Sequence, residues 1–581
     1  MSIGSRTLSA LLLTTSLCLV GAAAYAQQSD FVSITDEILN NPDDADWPQY
    51  RRTHNNWAFS PLDQVNRDNV EFLQLAWSRT VGAGRIESTP LVYDGVMYIV
   101  HPNSVVEAVD ATNGNLIWRY ERELPEGVNP TGVNRNIALY GDNVYYSSRD
   151  NYLVAINART GQVEWETLMS DDRVVSHSSG PIAHNGVIVT GRSCNPGASF
   201  DGGCFIMGHD ANSGELLWRV NTIAAPGEPG GDSWGGLPYE NRYHVSPWGV
   251  SSYDPELGLI YIGTGVPGPY PSIAQGRNED DALYSDSTLA INIETGDLEW
   301  YFQHLPGDDW DLDNTGERIL IDLPIDPSDE VEWSNPDIDP METRRVLWMA
   351  NKGGIQFVLD RETGEFLWAD PILHQNVVLG VDPDGTVHVD SSLRHKEIGD
   401  TVIVGQRAAK NYWPGTYSPL TGAVYQPLHN SWLQQTSLEW AGAGMGAARI
   451  SIRAPENTES LGAVKAINVS TGEVLWEQFW PTIHTGGLVS TGGGLVFGGD
   501  YSRAFRAYDD TTGEVLWQSL LNSRISGGAI SYEVEGVQYI AVTAGGGSIY
   551  EGVIDLAPEG LEQPDGGNSV FVFALPASMR E

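Results

Sequence analysis

Apolar and polar residues alternate along this chain in short runs, and each run stops at a turn. Alternation with a period of two over four to eight residues predicts half-buried β-strands. One pattern recurs through the chain: a small or apolar residue, Asp or Asn two positions on, usually Thr-Gly, then Trp four residues after the Gly. It appears as "AVDATNGNLIW" (108–118), "AINARTGQVEW" (155–165), "GHDANSGELLW" (208–218) and "AINIETGDLEW" (290–300). It returns as "VLDRETGEFLW" (358–368), "AINVSTGEVLW" (466–476) and "AYDDTTGEVLW" (507–517). In each copy the Asp or Asn side chain starts a turn by accepting from nearby backbone N–H groups. Gly supplies the positive φ that closes the turn, and the returning strand ends in a Trp able to pack between units. Each copy is thus the hairpin between two strands of a small antiparallel sheet.

Related turns without the Trp occur in "YDPELGLIYIG" (253–263) and "YSPLTGAVYQP" (417–427). The spacing suits about eight four-stranded sheets arranged radially, an all-β fold. "VEFLQLAWSRTVG" (70–82) precedes the first repeat and is expected to complete the last sheet beside a closing strand at "SVFVFAL" (569–575). Residues 27–581 are expected to form one domain, with the long gaps between repeats supplying loops over one face. High Gly (64) and Pro (32) and 19 Trp agree with short strands and many turns.

Charge narrows the partners. Acidic residues number 76 against 32 basic, a net of −44. Such a surface repels nucleic acid and anionic membranes, while it suits basic proteins, metal cations or simple solubility. The N-terminus, "MSIGSRTLSALLLTTSLCLVGAAAYAQQ", has a basic start at Arg6, a short apolar stretch and Ala24-Tyr25-Ala26. That is the pattern of a signal peptide cleaved after Ala26, so export to the periplasm is expected, with no membrane span. Cys194 and Cys204 then remain, ten residues apart; export favours a disulfide over two free thiols. No C-x-x-C-H occurs, so the chain carries no covalent haem site of that type.

"QHLPGDDWDLDNTG" (303–316) places Asp308, Asp309, Asp311 and Asp313 around Trp310. A solvated acidic loop and a bound cation beside a base both account for such a cluster. Together with the repeats, the segment resembles the quinoprotein alcohol dehydrogenases. That resemblance runs from "WPQYRRTHNNWAFSPLDQVNRDNVEFLQLAW" (47–77) to "GVQYIAVTAGGG" (536–547). It implies an eight-bladed β-propeller holding pyrroloquinoline quinone (PQQ), a flat ortho-quinone with three carboxylates. The repeats alone also occur in non-catalytic scaffold propellers, so the residues between them carry the argument. By the resemblance, Glu87 of "IESTP" lies near one edge of the cofactor. Arg135 of "GVNRNIALY" meets a carboxylate or quinone oxygen. Trp248 of "SPWGVSSYDP" stacks under the ring. Lys352 of "ANKGGIQF" stands near the quinone oxygens, and Asn411 of "AAKNYWPGTYSP" is a further cofactor contact.

In the family's "PGDxWDYD" pattern the Asp after Trp is the general base, here Asp311. The second Asp two residues on, here Asp313, resembles members that use a lanthanide in place of Ca²⁺, so Asp311 and Asp313 are the expected metal ligands. Asp308 and Asp309 are expected to face solvent or cap the turn. The chain also departs from the pattern. Adjacent cysteines are absent from "VNPTGVNR" (128–135). The metal Glu has no counterpart in "GRSCNPGASFDGGCF", where Asn195 or Ser199 comes nearest. Val266 of "GTGVPGP" replaces the metal Asn. His484 of "PTIHTGG" is expected either to line the pocket or assist proton transfer, or to be a structural, hydrogen-bonded histidine. The implied activity is oxidation of an alcohol, bulky or secondary given the altered pocket, with electrons leaving to an external acceptor such as cytochrome c. The alternative is a non-catalytic propeller that binds envelope proteins.

Overall fold

The repeat turns form as their side chains dictate. Asp110 Oδ1 accepts from Thr112 N–H at 2.8 Å and from the Thr112 hydroxyl at 2.6 Å. Asn157 Oδ1 accepts from Arg159 and Thr160 N–H, Asp360 Oδ1 from Glu362 and Thr363, and Asn468 Oδ1 from Ser470 and Thr471. The computed structural model describes residues 31–128, 132–170, 178–194, 203–277, 281–441, 445–546, 553, 555–557 and 567–580.

The Trp and the Gly of the repeat act on each other across sheets. Trp118 closes one hairpin, and its indole N–H donates to Ala158 O of the next repeat at 2.8 Å. Its ring covers Gly161 so closely that a β-carbon there would lie 2.8 Å from it; φ at Gly161 is +71°. Trp77 meets Ala111 O and Gly114, Trp218 meets Ile293 O and Gly296, and Trp476 meets Asp510 O and Gly513 in the same way. Glycine is thus required twice, by a left-handed backbone and by the neighbour's indole.

The described strands form eight antiparallel sheets of four or five strands, the fifth strand of one sheet being the short Phe59–Ser60, which pairs parallel with Val489–Thr491. Gln74–Thr80 pairs with Ser569–Ala574, so the two ends of the chain share one sheet, as the sequence predicts. Two further small sheets depart from the expected loops: a hairpin of Val378–Val381 with Val387–Val389, and a three-stranded sheet of Thr401–Val404, Ser431–Ser437 and Ala447–Arg453. Val378, Val381, Val387, Val404 and Leu433 of these strands are buried in one apolar cluster, which a loop would not do. Among the described residues no helix is long and apolar enough to cross a membrane.

The first strands of successive sheets contact one another and enclose a hub; examples are Ala138–Tyr140 with Ile182–His184, and Thr416–Ser418 with Val489–Thr491. Glu87, Arg135, Trp248, Asp311, Asp313 and Asn411 each precede such a first strand, so they gather at one end of the hub. At the other end, residues 47–58 cross beneath three sheets. Their carbonyls at His54, Asn55 and Trp57 accept from Tyr253, Leu320 and Tyr417 N–H. A cavity of about 420 Å³ lies at that end and is lined by none of the predicted site residues.

Candidate active site

The cavity at the first-mentioned end has a volume of about 330 Å³ and is lined by Arg135, Trp248, Asp311, Asp313, Lys352 and Asn411, six of the seven residues predicted for cofactor, metal and catalysis. Glu87 stands behind the wall, buried, with its Oε2 2.7 Å from Arg135 Nη2. Burial raises the Glu87 carboxyl above its ordinary value despite that guanidinium.

Asp311 is the centre of the arrangement. Its Oδ1 accepts from Lys352 Nζ at 3.0 Å and its Oδ2 from Arg449 Nη1 at 2.5 Å. Burial works to raise this carboxyl, but the Lys352 and Arg449 charges outweigh it and hold the group well below the usual carboxylate range. Asp311 therefore stays ionised at neutral pH. Its backbone sits at φ +77°, a left-handed conformation that Asp tolerates better than most residues. Lys352 Nζ also bonds Asp313 Oδ2, which in turn accepts from Trp248 Nε1 at 3.1 Å. Asp313 Oδ1 accepts from the Val266 N–H at 2.7 Å, so Val266 contributes backbone where the resemblance expects an Asn side chain. The Trp248 ring carries Arg135 at 5.0 Å on its face and Lys352 at 5.5 Å.

The expectation that Asp308 and Asp309 face solvent is wrong; both are fully buried. Asp308 does cap the turn. Its two oxygens accept from the N–H groups of Trp310 (2.6 Å), Asp311 (3.1 Å) and Leu312 (2.6 Å), which fixes the backbone on both sides of Asp311. Burial, with the charges of Asp311 and Asp313, pushes the Asp308 carboxyl up to about 7 against those hydrogen bonds. Asp309 accepts from Ser272 N–H and from both the N–H and Nδ1 of His395. Burial opposes ionisation there too, but His395, Arg277 and the backbone donors bring the group down to about 2. A short acidic run reads as solvated in one dimension; only the strand Ser431–Ser437 and the His395 turn folding over it take it out of water.

His484 is buried and off the cavity wall, and burial lowers its imidazole to about 4, so it is neutral near pH 7. Cys194 and Cys204 form the expected disulfide, packed on Trp234 and Val245. The expected signal peptide and the positions Asn195 and Ser199 lie outside the described residues. Sequence reasoning missed Arg449, Tyr270, His244 and Arg407, which also line the cavity. Arg449 comes from the inserted sheet, where "AARISIR" (447–453) offers one signal: alternation that sets Arg449 and Ser451 on one face and Ile450 on the other.

The donor set fits PQQ. Four cationic side chains, Arg135, Lys352, Arg407 and Arg449, suit a ligand with three carboxylates, Trp248 offers an aromatic face, and about 330 Å³ falls within the roughly 300–1,000 Å³ usual for ligand pockets. For a hard cation, Asp311 and Asp313 supply oxygen donors side by side. Among the described residues, no group of three His, Cys, Asp or Glu side chains is spaced to hold a metal.

Antiparallel sheets around a hub whose one end holds a cation-rich, Trp-walled cavity with an ionised Asp define an all-β quinoprotein. The chain matches the family described as "PQQ: Glucose/ethanol/alcohol dehydrogenase, beta-propeller domain" over residues 47–378 and 444–540. It belongs to that family and is a PQQ-dependent alcohol dehydrogenase. It is 30% identical to the quinoprotein alcohol dehydrogenase PedH of Pseudomonas putida, over 99% of this chain and 98% of that protein. It is also 30% identical to the dehydrogenase subunit of the quinone alcohol dehydrogenase of Gluconacetobacter polyoxogenes, over 94% of this chain and 78% of that one. Among solved structures, a europium-containing methanol dehydrogenase superposes with a TM-score of 0.83 at 26% identity, covering 93% of this chain and all of that one.

Proposed function

We propose that Asp311 is the general base in oxidation of a bulky or secondary alcohol to a carbonyl compound, in an exported protein whose eight sheets are the blades of one propeller spanning residues 27–581. The observation that carries the catalytic assignment is the Asp311 carboxylate on the cavity wall, ionised between Lys352 and Arg449 beside Trp248. PQQ, when bound, accepts the hydride from the alcohol carbon. Asp311 takes the hydroxyl proton on a carboxylate oxygen. A weakly basic carboxylate serves because the alcohol proton becomes acidic as hydride leaves. Asp308 holds Asp311 in place through three backbone N–H groups. Arg135, anchored by Glu87, together with Lys352, Arg407 and Asn411, orients an anionic planar ligand on Trp248. Asp311 and Asp313 are the side chains that would hold Ca²⁺ or a lanthanide ion, whose positive charge would polarise the quinone carbonyl. Val266 and the missing cysteine pair support a pocket unlike that of simple-alcohol enzymes. Electrons leave to an external acceptor, read as a cytochrome c.

The test is reconstitution of the full-length protein with PQQ and Ca²⁺ or La³⁺, followed by dye reduction with primary and secondary alcohols of increasing size. Quinone binding with turnover on the larger alcohols is the expected result. Absence of quinone binding under every metal would point instead to a scaffold propeller. N-terminal sequencing of protein from a periplasmic fraction tests cleavage after Ala26.

A further inference from the structure

We propose that the exposed face of the three-stranded sheet 401–453 is the docking surface for the electron acceptor, and that this acceptor is a small basic haem protein. The inference rests on the reading of the Asp311 cavity as the site of quinone-dependent oxidation.

The register sets the face. Ile403 and Ile450 lie on either side of Gln434, one on each edge strand, and are 42% and 58% exposed. Leu438 and Ile398, in the turns next to these strands, extend the patch and are also exposed. Exposed leucines recur elsewhere, as at Leu116, Leu216 and Leu475, but those belong to the outermost strands of the repeats. This patch lies outside the repeats and over the active site.

The other face of the sheet is the roof of the acidic loop. Val404 and Leu433 pack into the same apolar cluster as Trp310 and Leu312, the residues flanking Asp311. Arg449, next to Ile450 and pointing the opposite way, reaches Asp311 itself. One sheet therefore separates the exposed isoleucines from the catalytic carboxylate, and packed layers of this kind are roughly 10 Å thick.

Charge selects the partner. The strands and the stretches before, between and after them carry Glu397, Asp400, Glu439, Glu456 and Glu459 against Lys396 and Arg453 on the outside, since Arg407 and Arg449 line the cavity and Arg394 and Lys410 are buried, within a chain of net charge −44. An apolar centre with an acidic surround is the layout of a transient interface for a basic protein, steered by charge and seated by apolar contact. The electron balance requires an external acceptor. Oxidising one alcohol to a carbonyl releases two electrons and two protons, and the chain has no C-x-x-C-H segment to carry a haem of its own. A haem iron takes one electron in going from ferric to ferrous. Two acceptor molecules are therefore reduced per alcohol, and the two protons pass to solvent.

The experiment compares two acceptors on PQQ-reconstituted full-length enzyme: a small dye, and a basic c-type cytochrome with an acidic cytochrome as control. Ile450→Lys and Leu438→Lys are expected to keep dye-linked turnover and to slow reduction of the basic cytochrome by ~10-fold, the loss of one central contact. Leu216→Lys on an outermost strand should change neither rate. Added salt should slow the basic cytochrome and leave the dye unaffected. If Ile450→Lys also lost dye turnover, Leu438→Lys and Ile398→Lys, farther from Arg449, would carry the comparison. Wild-type rates of cytochrome reduction in these variants would overturn the proposal. So would a dimer seen by light scattering that Ile450→Lys dissolves, since the face would then belong to a second copy. Wild-type protein without dye turnover would instead bring down the quinone reading on which this rests.

Discussion

Arg449 meets Asp311 across 138 positions of chain, with Nη1 2.5 Å from Oδ2, while Lys352 holds the other carboxylate oxygen. The Asp311 carboxylate is thus clamped between a cation from the turn between Thr343–Ala350 and Ile355–Asp360 and one from a sheet outside the repeats. Its charge state and its direction are set by two independent parts of the fold.

Replacing Arg449 with Gln should leave PQQ binding in place, since Arg135, Lys352 and Arg407 remain. kcat should fall roughly 10- to 100-fold, the equivalent of the ~1.5–3 kcal/mol carried by a hydrogen bond to a charged group. Loss of the cation raises the Asp311 carboxyl, so the acid limb of the kcat profile should move to higher pH. Quinone titration and a pH series of dye-linked rates measure both. An unshifted limb would remove Arg449 from this role.

Asp311→Asn keeps the shape of the side chain and removes its ability to take a proton. Bound quinone should persist while turnover drops by about 10²–10⁴, the usual contribution of a general base. Absorbance of the bound quinone, read alongside the rate, separates this from simple loss of cofactor.

Asp308 links pH to stability. Its folded value of about 7 lies above the ordinary 3.8, so the folded state keeps a proton that the unfolded chain gives up first. The stabilisation is present in full below the ordinary value and is lost as pH rises through the folded one. Wild-type Tm should therefore carry a downward contribution between these two values that Asp308→Asn lacks. The Tm difference, variant minus wild type, should move in the variant's favour across that window. Scanning calorimetry at several pH values would show it, and a constant difference would contradict it.

Gly161→Ala tests the joint between sheets. The added β-carbon meets the Trp118 ring at 2.8 Å and sits at φ +71°, so a loss of roughly 1–3 kcal/mol is expected from strain alone. Trp118→Ala should cost about 3–5 kcal/mol through the lost packing. The two residues touch, so the double variant should lose less than the sum of the singles. Denaturant unfolding of the four proteins measures the coupling.

The reading of 303–316 shows where sequence stops being enough. Asp311 and Asp313 are identifiable there because a short pattern around a Trp fixes their spacing, and the structure sets both on the cavity wall with Lys352 between them. The turn cap of Asp308 is legible there, but the burial of Asp308 and Asp309 is not, because nothing within the segment says what covers it. Asp309 is covered by His395, Ser272 and the strand Ser431–Ser437, all distant in sequence. Arg449 went unread for the same reason.

What the chain determined by itself is local: Asp or Asn opening each turn, Gly closing it, Trp ending each hairpin, and a first strand left to pair with the last. Nearest-neighbour hydrogen bonds and backbone sterics are enough for these, so each repeat specifies its own hairpin. The tertiary structure decided which acids lose water, which cations reach them, and which end of the hub becomes the site. Those outcomes depend on desolvation and on charges brought together through space, and neither quantity exists until the sheets have packed.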